Sequence, residues 1–275
     1  MAEHPNIFLK KTFVAITGAS RGLGRSIALQ FGAKFPNNSV MVLMDVLPLD
    51  SVKSELLSGS RNMDVLVRHF DQGNLEDKYY FKGIFTKLLQ EYNFSQNNFE
   101  QYMIVHNCAT LCDVSKKSLE LSDSTSVRKY FDINLTGMIL LNSSFFQTFS
   151  DSTKSRVIVN MTSAVTSTPM ASVHLYCAAK AARDIYMRVL AVEEPSLRIL
   201  TFAPGISDTD MTKQAEQLCF NKTNVDMIKK TRANGKMTLP DTPVGKLVQI
   251  LEENKFENAV YVESDDISET INRYM

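Results

Sequence analysis

Cysteine is scarce, with four in 275 residues, and no two stand at Cys-x-x-Cys spacing. Cys108, Cys112, Cys177 and Cys219 offer no zinc-type spacing, alone or with His4, His69, His106 and His174, and no metal site is expected. Free thiols in a reducing compartment are the expectation. Net charge is also lacking: Lys plus Arg and Asp plus Glu stand at 30 each. No global field therefore draws the chain to nucleic acid or to a membrane surface. No apolar run approaches the roughly 18 residues of a membrane span, and Met1 to Lys11 has no signal-like apolar core. A soluble, cytoplasmic protein with neither nucleic-acid nor membrane partners is expected. Internal repeats and low-complexity linkers are missing, and Ser95-Gln-Asn-Asn98 reads as a loop rather than a boundary. Asn-x-Thr sequons at Asn134 and Asn160 fall inside apolar runs, where a glycan would not fit, so they read as chance.

What is present is a chain with 44% hydrophobic residues, enough for a proper core without staples. Apolar runs of strand length alternate with longer helical segments. Strands are expected at Phe13 to Thr17, Ser39 to Asp45, Val65 to Phe70, Tyr102 to His106, Arg156 to Met161, Arg198 to Phe202 and Ala259 to Val262. Ser39 to Asp45 is apolar at almost every position, the pattern of a strand covered on both faces. Helices are expected from near Gly24, where Ile27, Ala28, Phe31 and Phe35 share one face, and at about Leu75 to Tyr92, Ser122 to Phe149, His174 to Val192 and Thr242 to Glu253. The alternation predicts one α/β domain over residues 1–275: a doubly wound, Rossmann-type parallel sheet of about seven strands with helices on both faces.

The first strand hands over to the first helix through Gly18, Ala19, Ser20, Arg21, Gly22, Leu23 and Gly24. Glycines there let the chain turn sharply and let a pyrophosphate approach the amides of a helix N-terminus; an ordinary turn is the bland alternative. A carboxylate ending the second strand usually meets a ribose 2′-hydroxyl, whereas a nearby Arg accommodates a 2′-phosphate. Asp45 and Arg21 thus point in opposite directions. Asp45 has a further alternative, to turn outward or cap the following loop. Arg21 tips the reading to NADPH, with NADH the lesser candidate. Asp71, with neighbouring Gln72, is the candidate to meet the adenine.

Tyr176 and Lys180 stand four apart in a strongly helical segment, hence on one face. An ammonium beside a phenol favours the phenolate and lowers a pKa that starts near about 10. A tyrosine tuned this way can give its proton to a carbonyl oxygen as hydride arrives at carbon. Ser163 ends a strand at the carboxyl edge where α/β sites gather; it either holds the same oxygen or caps a turn. Asn134 sits among apolar neighbours and needs polar partners. Relay of protons to Lys180 through water and satisfaction of a local carbonyl are equally open.

Together, Thr17-Gly-Ala-Ser-Arg-Gly-Leu-Gly24, Asn134, Ser163 and Tyr176-x-x-x-Lys180 resemble the short-chain dehydrogenase/reductase family over nearly the whole chain. Pro204-Gly205 resembles its nicotinamide-contacting turn. One departure is His106-Asn-Cys-Ala109, where that family usually reads Asn-Asn-Ala-Gly; Asn107 keeps one member.

A finer resemblance, to the pterin-reducing members, rests on Asp113-Val-Ser-Lys116, Leu121-Ser-Asp-Ser-Thr125, Leu175-Tyr-Cys-Ala-Ala-Lys-Ala-Ala-Arg-Asp184 and Ala203-Pro-Gly-Ile-Ser-Asp-Thr-Asp-Met211. It implies NADPH-dependent reduction of pterin side-chain carbonyls in tetrahydrobiopterin synthesis, and a homodimer paired through the two long helices. It implies cofactor contacts from Ser207, Asp208, Thr209, Asp210, Met211 and Thr212 within a substrate-loop region of about 205–235. Ser163, Ala164, Tyr176, Gly205 and Met211 would line the substrate pocket. Asp266, or Asp265 if the alignment slips by one, would anchor the pterin, since one carboxylate accepts two adjacent N–H groups. A second departure is Val46, where the family carries an Arg for the 2′-phosphate. The rivals are a reductase of other ketones or diketones and a non-catalytic cofactor-binding regulator.

Overall fold

Side chains of Thr12–Thr17 (β1) alternate between two cores: Val14 and Ile16 enter one, Phe13 and Ala15 the other. A strand buried on both faces in this way belongs at the centre of a covered sheet. The computed structural model describes residues 4–59, 62–77 and 79–264. The remaining strands are Val40–Asp45 (β2), Asp64–His69 (β3), Gln101–His106 (β4), Ser155–Met161 (β5), Leu197–Ala203 (β6) and Val260–Glu263 (β7). All pair parallel, in the order β3-β2-β1-β4-β5-β6-β7. The strand order reverses between β1 and β4, and open α/β sheets bind ligands at the carboxyl ends of such a switch point. The expected sheet is present, each strand displaced from its expected bounds by a residue or two at most.

Helices Gly22–Gly32 (α1) and Asp50–Leu57 (α2) cover one face together with a later helix, Asp241–Glu253 (α9). Ile84–Glu91 (α3), Gly137–Thr148 (α5) and His174–Glu193 (α6) cover the other. Ser124–Phe131 (α4) leads into α5, while Asp210–Leu218 (α7) and Lys222–Ala233 (α8) follow β6. The expected loop region of 205–235 is thus largely a pair of helices. Among the described residues no helix is long and apolar enough to cross a membrane.

Two expected helices are corrected. The segment anticipated from Leu75 is helical only from Ile84. Before it, Asp71 Oδ1 accepts from Gly73 N and Asp77 Oδ1 from Tyr79 N, each at 2.9 Å, and such local turns compete with helix. Tyr80 also stacks on Phe70 with ring centroids 5.7 Å apart. The long helix expected over Ser122 to Phe149 is broken by a π-helical turn at Asp132–Thr136. Behind it Gly137 lies against the Gln72 carbonyl so closely that a Cβ would come within 1.8 Å of the oxygen.

The α3–α5 face is aromatic at its centre. Phe145 is fully buried, with ring centroids 4.9 Å from Phe85 and 4.7 Å from Phe149. Phe145→Ala should lower unfolding stability by about 3–5 kcal/mol, read as a fall in the urea midpoint; a change below about 1 kcal/mol would place the aromatic cluster outside the stabilising core.

Candidate active site

The turn after β1 is shaped by glycines in different ways. Gly18 and Gly22 have φ of 67° and 56°, a region that side chains with a Cβ disfavour. Gly24 is helical, but a Cβ there would lie 1.9 Å from the Gly18 carbonyl oxygen. Asn107, just past β4, braces this turn: its Nδ2 donates to Thr17 O at 3.0 Å and Gly18 O at 3.1 Å. The α1 N-terminus has no side-chain cap and no acidic residue in its first turn. Its orphan N–H donors and positive dipole end therefore suit an anionic group. The residues present fit a dinucleotide pyrophosphate.

Asp45 ends β2 beside this turn, its Oδ2 accepting from Ser20 N at 3.0 Å and its Oδ1 from Leu47 N at 3.1 Å. It turns inward and caps the loop at once. Arg21 is 63% exposed in its side chain and pairs with Asp210 at 2.6 Å.

On the other side of the cleft, Ser163 follows β5 and begins a short 3₁₀ turn, its Oγ accepting weakly from Val165 N at 3.5 Å. The same hydroxyl faces Tyr176 on α6 and draws its pKa down. Lys180, one turn further, donates from Nζ to Met161 O at 2.6 Å and lies 5.5 Å from the centre of the Tyr176 ring. The net direction at Tyr176 is upward, against the expectation of a lowered phenol. Burial pushes the phenol up to about 12, and Arg183 is the largest influence pulling the other way. Lys180 is itself held well below the ordinary ammonium range by burial and by the like charge of Arg183.

These groups share one cleft of about 440 Å³. Its inner wall is apolar, with Leu111, Met170, Val173, Met227 and Ile228. Cys108 also lines it, but burial pushes that thiol up to about 11. Uncharged near neutral pH, it is a poor nucleophile. The constellation suits proton donation beside a dinucleotide.

The model of the family described as short chain dehydrogenase matches residues 12–218. The chain belongs to the short-chain dehydrogenase family. It is similar to sepiapterin reductase of Rattus norvegicus, 32% identical over 92% of this chain and 95% of that one. It is similar also to sepiapterin reductase of Bos taurus, 31% identical over 94% and 96%. Among solved structures, a 3-oxoacyl-[acyl-carrier protein] reductase from Brucella melitensis in complex with NAD superposes with a TM-score of 0.74, covering 92% of this chain and 95% of that one. At 17% identity that likeness carries the fold alone. An oxidoreductase of this family binds a nicotinamide cofactor.

Most residues anticipated from sequence meet in the cleft. Gly18, Arg21, Gly22, Leu23, Asp45, Val46 and Asn107 line its dinucleotide side. Ser163, Tyr176 and Lys180 line the other, with Gly205, Ser207, Thr209, Asp210, Met211 and Thr212 over them. Others stand behind the wall. Ala19, Ser20, Gly24 and Ala164 are outside the lining and shape the turns that form it. Asp71 is exposed, its Oδ1 accepting from Gly73 N at 2.9 Å, and is itself outside the lining. Gln72 is buried, with Nε2 on Ile133 O at 2.6 Å, and joins the β3 end to the π-helical turn. Asp208 pairs with Arg232 at 2.9 Å instead of facing the cleft. Asp265 and Asp266 lie outside the described residues.

The Asn134 side chain has local partners. Its Oδ1 accepts from Thr110 N at 2.9 Å, and its Nδ2 donates to Thr110 Oγ1 at 3.1 Å and Tyr130 O at 2.9 Å. The side chain pins the loop after β4 and makes no contact with Lys180. Sequence reading missed Arg183, Asp184 and Asn160, which lie under the site; a charged residue seven beyond Tyr176 on the same face was the available signal.

His106, where the family usually has Asn, is buried and donates from Nε2 to Asn142 Oδ1 at 3.0 Å. Burial and Arg183 push its pKa down from 6.5 to about 3. Unfolding therefore takes up a proton between those values, so stability falls as pH drops from 6.5 toward 3. Denaturant midpoints across that window should fall less steeply in His106→Asn than in the wild type. Parallel slopes would show that His106 is not buried neutral.

Proposed function

We propose that the chain is a carbonyl reductase acting on the side-chain carbonyls of pterins, sepiapterin and 6-pyruvoyl-tetrahydropterin among them, in tetrahydrobiopterin synthesis. The observation that carries the reading is the convergence of Ser163, Tyr176 and Lys180 on the same cleft as the glycine turn. The relatives named sepiapterin reductase, similar over nearly the whole chain, support the substrate class.

NADPH is the preferred cofactor and NADH the lesser candidate. Arg21 is the cation that the glycine turn offers to a 2′-phosphate, and both oxygens of Asp45 already accept main-chain N–H groups. That engagement weakens Asp45 as a ribose acceptor. When bound, the reduced nicotinamide supplies the hydride. Ser163 holds the substrate oxygen, and Tyr176 transfers its phenolic proton to it. A phenol raised to about 12 keeps that proton at neutral pH, as a donor must. Lys180 orients this end of α6 through Met161 O. Asp266 is the proposed anchor of the pterin ring.

A second reading, reduction of apolar ketones or diketones, is favoured by the apolar inner wall. Loss of reduced-nicotinamide absorbance with sepiapterin, with a small diketone, and with NADPH and NADH in parallel tests both. Turnover of sepiapterin with NADPH supports the first reading; turnover of the diketone alone supports the second and removes the pterin. Tyr176→Phe should cut kcat by about 10²–10⁴-fold while cofactor affinity, read by fluorescence titration, stays near wild type. Undiminished turnover would remove the assigned proton donor.

A homodimer is proposed on different grounds. Ala178, Ala181, Ile185, Val189 and Val192 form an exposed small and apolar stripe along α6, and Leu140 is exposed on α5. Burial of such a stripe against a second copy would remove it from water. Light scattering should give twice the chain mass, and Val189→Glu should return the monomer. A wild type that is monomeric at micromolar concentration would end this proposal.

A further inference from the structure

One buried charge has no part in the mechanism above. Arg183 is 0% exposed and lies on the sheet-facing side of α6, three residues past Lys180 and seven past Tyr176. Its Nη2 donates to His106 O at 2.6 Å, its Nη1 to Cys108 O at 3.3 Å and its Nε to Asn160 Oδ1 at 3.1 Å. Asp184 completes the network, accepting from Asn160 Nδ2 at 3.0 Å and Thr162 Oγ1 at 2.9 Å. Removing a guanidinium from water is costly unless its donors find good acceptors. Here they find acceptors at the carboxyl ends of two neighbouring strands, β4 and β5. A charged donor also holds such acceptors more strongly than a neutral one.

The segment Arg183 grips is the one that shapes the cofactor turn. His106 and Cys108 flank Asn107, whose amide braces Thr17 O and Gly18 O. One side chain therefore connects the helix bearing the proton donor to the loop that sets the dinucleotide turn. We propose that Arg183 is a positioning residue for carbonyl reduction, fixing Tyr176 relative to the cofactor turn by tying α6 to the ends of β4 and β5. This rests on the reductase reading above.

Charge adds a second, separable signature. Tyr176 is faced on its own helix by Cys177, Lys180, Arg183 and Asp184, and from α4 by Tyr130. Cys112 approaches from the loop after β4, Ser163 from the end of β5, and Cys108 and His106 lie next to Arg183. Within this set Arg183 draws the phenol's pKa down, and Asp184 pushes it up. Ketone reduction needs the protonated phenol, so kcat falls on the alkaline side as Tyr176 ionises. Loss of Arg183 moves that fall to higher pH, and neutralising Asp184 moves it to lower pH.

The test compares wild type, Arg183→Met, Arg183→Lys and Asp184→Asn, using a carbonyl that the wild type reduces. It records kcat and KM against pH and the thermal midpoint of each variant. Arg183→Met should lower kcat by about 100-fold, the scale of a small misplacement of reacting groups, with little change in KM, and shift the alkaline limb upward. Arg183→Lys should recover part of kcat with the limb where the wild type has it. Asp184→Asn should shift the limb downward. A wild-type kcat and limb in Arg183→Met beside a lowered thermal midpoint would make Arg183 purely structural and overturn the proposal. Should Arg183→Met fail to fold, Arg183→Lys with undiminished kcat and Asp184→Asn with an unmoved limb would overturn it equally. A wild type that turns over no carbonyl removes the reductase reading itself, whereas an active wild type with unaltered variants removes only the role of Arg183.

Discussion

The site depends on a side-chain amide that spans the reversal of the sheet. Asn107 Nδ2 is shared between Thr17 O and Gly18 O, and its main-chain N–H reaches Thr17 Oγ1 at 3.1 Å. Parallel strands end in carbonyls and amides that lack ladder partners, and these groups must be satisfied elsewhere. At β1 and β4 the satisfaction is mutual. The turn that opens the α1 N-terminus is held by β4, and the main chain around Asn107 is held in turn by Arg183 from α6. Glycine turn, strand ends and the helix bearing Tyr176 form a single chain of contacts.

Burial sets the electrostatics of this region more than pairing does. Lys180 and Arg183 lie on one helix face without an ion pair to a carboxylate among the described residues, bonded to main-chain carbonyls and to Asn160. Desolvation accordingly opposes charge on Lys180, on His106 and on the Tyr176 phenol alike. The outcome is coherent with the proposed reduction: the tyrosine keeps its proton at neutral pH, and the histidine beneath remains neutral. The departures from the family pattern are absorbed locally. His106 finds Asn142, while Ala109 takes a place in the cleft wall.

The sheet was legible because a strand buried on both faces is written as a continuous apolar run. Those runs ended within a residue or two of the observed strands. The glycine turn and the Ser163, Tyr176 and Lys180 set were legible for a related reason: the function proposed for them requires particular residue types at spacings fixed by one helix or one turn. Local competition was harder to read. Leu75 onward has helical composition, yet the turns made by Asp71 and Asp77 and the packing of Tyr80 on Phe70 hold its first part out of helix.

Sequence by itself therefore determined the α/β class, the strand positions and the residues of the proposed proton-donor set, since each follows from periodicity or short-range spacing. Tertiary structure decided what those residues touch. It turned the Asn134 side chain onto Thr110 and the Tyr130 carbonyl, set Asp71 outside the cleft lining, engaged Asp45 with two amides, and placed Arg183 as the main electrostatic influence against burial on Tyr176. Hydrogen-bond partners and desolvation are properties of strand ends that meet only after folding, across separations of 23 to 90 residues, and no local pattern encodes them.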